Sequence, residues 1–150
     1  MRQILLGILL SLLSGLTHAQ NTTPPGTLIE SQPYKGTFHS SEHGVTIVLN
    51  LYDEDVIVPG YGFLGLTNGY MKGDSNKHLY GVWIMTSFEI KQGYALLRFS
   101  NDLGSESQTV SFTLQPDGTF RYRTISGNEV RKSTGKKLVK IASDMTFVRH

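Results

Sequence analysis

Between positions 39 and 43 the chain reads His39-Ser40-Ser41-Glu42-His43, which by letters is the inverted zinc-peptidase pattern His-x-x-Glu-His. That chemistry needs a helix, because i, i+4 spacing sets both imidazoles on one face with the glutamate beside a metal-bound water. Gly36 and Gly44 flank the five residues and strand-like alternation begins at Val45. A polar hairpin loop is therefore predicted, and peptidase chemistry is set aside. The imidazoles keep their affinity for zinc and copper, so His39 and His43, with His78 as a third ligand, form a candidate metal site.

Other chemistry-bearing types are less organised. Asp53-Glu54-Asp55 and Asp74-Ser75-Asn76 lack the Asp-x-Asp-x-Asp-Gly spacing and distal glutamate of a calcium loop, and read as solvated turns. Ser105, in Gly104-Ser105-Glu106-Ser107, lacks the second glycine of a nucleophile elbow. There is no cysteine, which excludes disulfides, thiol catalysis and thiolate metal sites. No pair of carboxylates stands out for glycoside hydrolysis, and no cofactor is implied. A binding role is expected rather than an enzyme.

Aromatic residues crowd the middle of the chain at Tyr61, Phe63, Tyr70, Tyr80 and Trp83, and Arg98 occupies a strand position at odds with an apolar interior. In a wrapped sheet alternate residues point inward, so these six are the candidate lining of a pocket for a ligand with an apolar body and an anionic head. The competing reading makes the aromatics an ordinary core. Arg121 and Arg123 alternate with Phe120 and Tyr122, the pattern of a polar outer face.

The elements that must position these residues are strands. Val45, Ile47, Leu49 and Leu51 alternate with Thr46, Val48, Asn50 and Tyr52, the period of a strand with one buried face. Three glycines among large apolar residues at 60–66 predict a sharp bend. Asn68-Gly69 predicts a type I′ hairpin. Positions 79–85, around Trp83, read as a central strand. Further strands fall at 88–90, 94–99, 110–114, 120–124, 125–132, 138–141 and 145–148, with turn residues between them. No helical periodicity appears after position 19. About nine or ten short strands joined by hairpins give an all-β antiparallel meander, closed as a barrel or, alternatively, folded as a sandwich. The barrel is preferred because closure leaves no open edge.

Arg2, an apolar run from Ile4 to Leu16 and the ending Thr17-His18-Ala19 read as a secretory signal peptide over 1–19, cleaved before Gln20. The run is shorter than the roughly 20 apolar residues of a membrane span. Positions 20–33, rich in Asn, Thr, Pro, Gly and Ser, read as a flexible leader, and 34–150 as one domain. The expected location is periplasmic or extracellular. A formal net charge of +2 and export argue against a nucleic-acid partner. The charge is uneven, however: beyond Thr119, Arg121, Arg123, Arg131, Lys132, Lys136, Lys137, Lys140 and Arg149 face only Glu129 and Asp144.

Tyr34-Lys35-Gly36-Thr37-Phe38, followed by a short loop, Gly44 and the alternating strand Val45 to Leu51, resembles the start of the N-terminal domain of the envelope copper-resistance and stress-sensing lipoproteins. The resemblance implies a small lipocalin-like barrel. The family's Cys-x-x-Cys pair lies in that loop, where this chain has His39 to His43, so its redox or copper-linked role is not carried over. The expected function is an exported, non-catalytic protein binding a small amphipathic or hydrophobic ligand in a barrel pocket. The alternative is a protein- or glycan-interaction module, such as an inhibitor or envelope-associated factor, using loops and the basic C-terminal strands.

Overall fold

The computed structural model describes residues 32–150, so the signal peptide read over 1–19 and nearly all of the leader read over 20–33 lie outside the described residues. The strands are β1 (Lys35–Ser40), β2 (Val45–Asn50), β3 (Val56–Ile57), β4 (Leu66–Thr67), β5 (Gly69–Gly73), β6 (Val82–Ile90), β7 (Ala95–Asn101), β8 (Ser107–Leu114), β9 (Phe120–Gly127), β10 (Arg131–Thr134), β11 (Lys137–Lys140) and β12 (Asp144–Arg149). Eight close into an antiparallel barrel in the order β1-β12-β9-β8-β7-β6-β5-β2, while β3-β4 and β10-β11 form separate two-stranded ribbons. The all-β class, the antiparallel pairing and barrel closure are as the alternation predicts. Among the described residues no helix is long and apolar enough to cross a membrane.

Period-two alternation fills the barrel. Val45, Ile47 and Leu49 of β2, Ala95, Leu97 and Phe99 of β7, Val110 and Phe112 of β8, and Phe120 and Tyr122 of β9 are all buried in one cluster. Phe112 stacks on Phe120 with ring centroids 5.1 Å apart, and Phe38 meets both edge-on at 5.2 and 4.7 Å. The interior of an eight-stranded barrel is just wide enough for side chains to occupy it, and here large aromatics do so. Arg121 and Arg123 project outward to Asp144, with Arg121 Nη2 at 2.5 Å from Oδ2 and Arg123 Nε at 3.8 Å.

The ring closes where β1 meets β12, with Phe38 opposite Arg149 and His39 opposite Val148. His150 N extends the seam by donating to Thr37 O at 2.9 Å. Arg149 donates to Pro33 O at 3.2 Å, and its guanidinium lies 5.8 Å from the Phe120 ring centroid. Gly36 makes room for this side chain: an added Cβ would stand 3.2 Å from Arg149 Cδ.

Positions 51–68 leave the barrel wall and fold over its outer surface as a flap. Asn50 organises the departure, donating from Nδ2 to Asp55 Oδ1 at 2.9 Å while its Oδ1 accepts from the amides of Tyr52 and Asp53. The carboxylate run is thus a braced turn. Val56 and Val58 of the flap pack with Tyr70 on the outer wall, alongside Val48, Val82 and Ile84. The bend predicted at the glycines is a single 3-10 turn, Gly62–Leu64, flanked by positive φ at Gly60 and Gly65.

Two sequence expectations are corrected. Asn68-Gly69 does not make a type I′ hairpin, because β4 pairs with β3 and β5 with β2 and β6, and Gly69 lacks the positive φ that turn requires. Gly69 serves close packing instead: an added Cβ would lie 2.4 Å from Val48 O. The separate strands expected at 79–85 and 88–90 are one strand, β6, interrupted by a bulge between Met85 and Ser87.

Two glycines of ordinary φ therefore separate crowding from chain freedom. Gly69→Ala is expected to lower stability in urea melts by about 1–3 kcal/mol through overpacking against backbone. Gly62→Ala, whose added Cβ meets nothing within 4 Å, is expected to change it by less than about 0.5 kcal/mol.

Candidate functional site

One rim of the barrel is built from the β5–β6 loop, the β7–β8 turn and the β10–β11 ribbon. Asn101 shapes the turn: its Oδ1 accepts from the amides of Ser105 and Glu106 at 3.0 and 3.1 Å, and its Nδ2 donates to Ser105 Oγ at 3.1 Å. Gly104, at φ +71°, completes the reversal. The ribbon docks on the β5–β6 loop through Tyr80 N to Arg131 O and Ser133 N to Asn76 O, both 2.7 Å. These bonds fix three segments far apart in sequence around one opening.

The opening is a cleft of about 200 Å³, walled by Tyr80, Trp83, Leu103, Glu106, Arg131 and Leu138 among others. Arg131 Nη1 stands 3.3 Å from Glu106 Oε1 at its polar side. Leu103 is 79 % exposed and Leu138 47 % exposed, so the apolar side is open to solvent. A shallower groove of about 380 Å³ shares Tyr80, Asp102 and Leu103 with it. Asp102 accepts from Tyr61 Oη at 2.5 Å, which ties the flap to this rim and holds the Tyr61 phenol above its usual range, the hydrogen bond to Asp102 being the main cause. Gly81 admits that carboxylate, since an added Cβ would lie 3.0 Å from Asp102 Oδ1.

Trp83, the only tryptophan, is 2 % exposed, and its Nε1 is buried with no hydrogen-bond partner among the described residues. It sits opposite Asn101 in the β6–β7 register. One layer further into the barrel, Tyr122 Oη donates to Gln108 Oε1 at 2.9 Å, and Gln108 Nε2 is likewise unpartnered. A buried donor without an acceptor costs about 1–3 kcal/mol. Burial pushes the Tyr122 phenol up to about 12.

The six residues expected to line a pocket are not gathered in one place. Trp83 and Tyr80 share the cleft, with Tyr80 beside the rim and Trp83 turned into the barrel. Tyr61 reaches Asp102 from the flap, Phe63 is 83 % exposed on the flap's 3-10 turn, and Tyr70 is buried beneath the flap on the outer wall. Arg98 is exposed on the outer face, with Nη1 3.4 Å from Ser87 Oγ. Leu103, Glu106, Arg131 and Leu138 escaped sequence reading. The basic run gave a signal for Arg131, but no local pattern joins residues on separate turns.

The His-x-x-Glu-His letters run from the end of β1 into a turn, with no helix. His39 lies within the strand rather than in the loop. His39 Nε2 is 3.4 Å from Asp74 Oδ2, His43 Nδ1 is 3.3 Å from Ser40 Oγ, and His78 Nδ1 is 3.1 Å from Ser75 Oγ. Each imidazole has its own polar neighbour, and among the described residues no three His, Asp or Glu side chains group to hold a metal ion. Compared with protein-family models, curated proteins and solved structures, the chain matches none.

The Tyr122 phenol gives a pH test. Its folded value lies above the ordinary value near 10, so its contribution to stability is complete below about pH 10 and is lost as pH rises toward 12. Urea midpoints measured from pH 9 to 12 are expected to fall less steeply for Tyr122→Phe than for the unsubstituted protein.

Proposed function

We propose that the chain is an exported, non-catalytic binding protein whose small amphipathic ligand sits in the cleft at the barrel rim. The observation that carries this reading is the buried, unpartnered indole N–H of Trp83 in a residue bordering an open cleft. Elsewhere the pair Arg131 and Glu106 offers one cationic and one anionic group to a polar head, while Tyr80, Leu103 and Leu138 offer apolar surface to its body. A volume of about 200 Å³ is below the roughly 300–1,000 Å³ of pockets for drug-sized molecules, which favours a ligand with one short aliphatic chain or one ring. The filled barrel interior supports placing the ligand at the rim rather than on the barrel axis.

Export is the sequence half of this reading, resting on Arg2 and the apolar run Ile4 to Leu16. Expression of the full chain in a secreting bacterial host is expected to yield a mature protein beginning at Gln20, as read by N-terminal sequencing. Retention of Met1 on the accumulated protein would overturn it.

The cleft is tested by the fluorescence of Trp83, which reports from the site itself. Titration with octanoate and, separately, with phenethylamine is expected to shift its emission saturably for at least one of the two, with the responding head group showing which charge the cleft receives. Leu103→Asp, a change at an exposed position, is expected to weaken that response about tenfold or more, a loss of about 1.4 kcal/mol, with an unchanged urea midpoint. No saturable response to either compound at millimolar concentration would sink the proposal.

A further inference from the structure

The β10–β11 ribbon has one edge held and one edge bare. On the β10 side, Arg131 O and Ser133 N are bonded to Tyr80 N and Asn76 O, and at its base Ile141 N donates to Val130 O at 3.0 Å. The bonds to Tyr80 and Asn76 fix the ribbon to the barrel rim, while the Ile141–Val130 bond continues the ribbon's own ladder at its base. On the β11 side the strand pairs with β10 alone, and among the described residues its outer edge makes no backbone hydrogen bond. All four β11 residues are exposed. A row of unpaired amides and carbonyls on a fixed strand is a template for another strand.

The side chains say which strand. Positions 131–140 carry Arg131, Lys132, Lys136, Lys137 and Lys140 and no acidic residue. Glu106 pairs with Arg131 at 3.3 Å and Glu129 with Lys140 at 2.8 Å, whereas Lys132, Lys136 and Lys137 have no carboxylate partner among the described residues. The register, with Lys132 opposite Val139 and Ser133 opposite Leu138, sorts them by face. Lys132, Lys137 and Val139 share one face; Leu138 lies on the other with the two neutralised pairs. One face therefore carries the unpaired lysines, while on the other the two cations are neutralised and Leu138 is the apolar residue.

We propose that the bare edge of β11 receives an extended segment of a partner protein in which acidic and apolar residues alternate. Added beside β11, such a segment sets its carboxylates on the Lys132 and Lys137 face and its apolar residues beside Leu138, because successive side chains point to opposite faces. Main-chain hydrogen bonds supply affinity and the alternating side chains supply selectivity, the mode of β-strand addition. The lysines that keep a second copy of β11 away, like charges directly opposite being unfavourable, are the groups that favour an acidic strand. This inference goes beyond the cleft reading: it shares Leu138 with the cleft and adds the outer edge of β11 and the Lys132 and Lys137 face, which the cleft does not use.

The test titrates the isotope-labelled full chain with a capped peptide of about eight residues, near ordinary strand length, alternating Glu and Val. Backbone amide shifts are expected to change saturably over 131–140, with slowed hydrogen exchange in β11. A peptide of the same charge with proline at two central positions, which cannot donate to a ladder, is expected to bind about tenfold more weakly or worse. The double variant Lys132→Glu and Lys137→Glu is expected to lose binding to the same extent while its response to octanoate or phenethylamine is kept. Equal binding of the proline peptide, tighter binding of a sulfated glycan or an oligonucleotide over the same residues, or no saturable shifts would each overturn the proposal.

Discussion

The fold depends on the fit between eight strands and the aromatic side chains they enclose. The space inside a ring of this size is fixed by strand number and tilt, and the size of the inward residues decides whether it is packed or left open; here they pack it. Phe38, Phe112, Phe120 and Phe147 do this at one level, with Phe147 5.9 Å from Phe112; Phe99, Tyr122 and Trp83 do it elsewhere in the same cluster. With no cysteine to cross-link the chain, this packing and the backbone ladders around it carry the domain. The same tightness explains the buried polar pair of Tyr122 and Gln108, since a phenol oxygen enclosed among rings must find an acceptor there.

The filled interior moves any binding outward, to where loops rather than strands meet. Along the outer wall, the flap of positions 51–68 buries Tyr70 and touches the rim through Tyr61, so three aromatics adjacent in sequence reading have separate duties: one under the flap, one holding it, and Phe63 on its surface. At the rim, the β7–β8 turn and the two-stranded ribbon converge because Asn101 folds the first and Tyr80 fastens the second. The cleft is the product of those two local arrangements.

Much of the architecture was legible because alternation is a local property. Val45 to Leu51 announced an inner and an outer face, and Phe120 to Arg123 did so with arginines on the wet side. Where glycine was concerned, the residue type alone misled: at Gly69 the missing side chain answers to a neighbouring strand's carbonyl oxygen, a fact held by β2 and invisible in Asn68-Gly69 itself. Trp83 is buried on its strand as its apolar surroundings predict, but Leu103, Glu106, Arg131 and Leu138, which wall the cleft with it, lie 20 to 55 positions later in the chain, on the β7–β8 turn and the β10–β11 ribbon. Nothing local marks Leu103 or Leu138 as walls of the same opening. The histidine letters failed for the opposite reason, as spacing without a helix has no common face.

The seam between β1 and β12 sets an order of events. Arg149 reaches back to Pro33 across a separation of 116 residues, with its guanidinium over the Phe120 ring. No partner for the first strand's open side exists until nearly the whole described chain has been synthesised. Pairing so distant in sequence is slow to form, and during that interval the phenylalanines of β1, β8 and β9 have no finished enclosure. Closure of the ring thus waits on β12, and until it is in place the apolar side chains that it helps to enclose remain open to solvent.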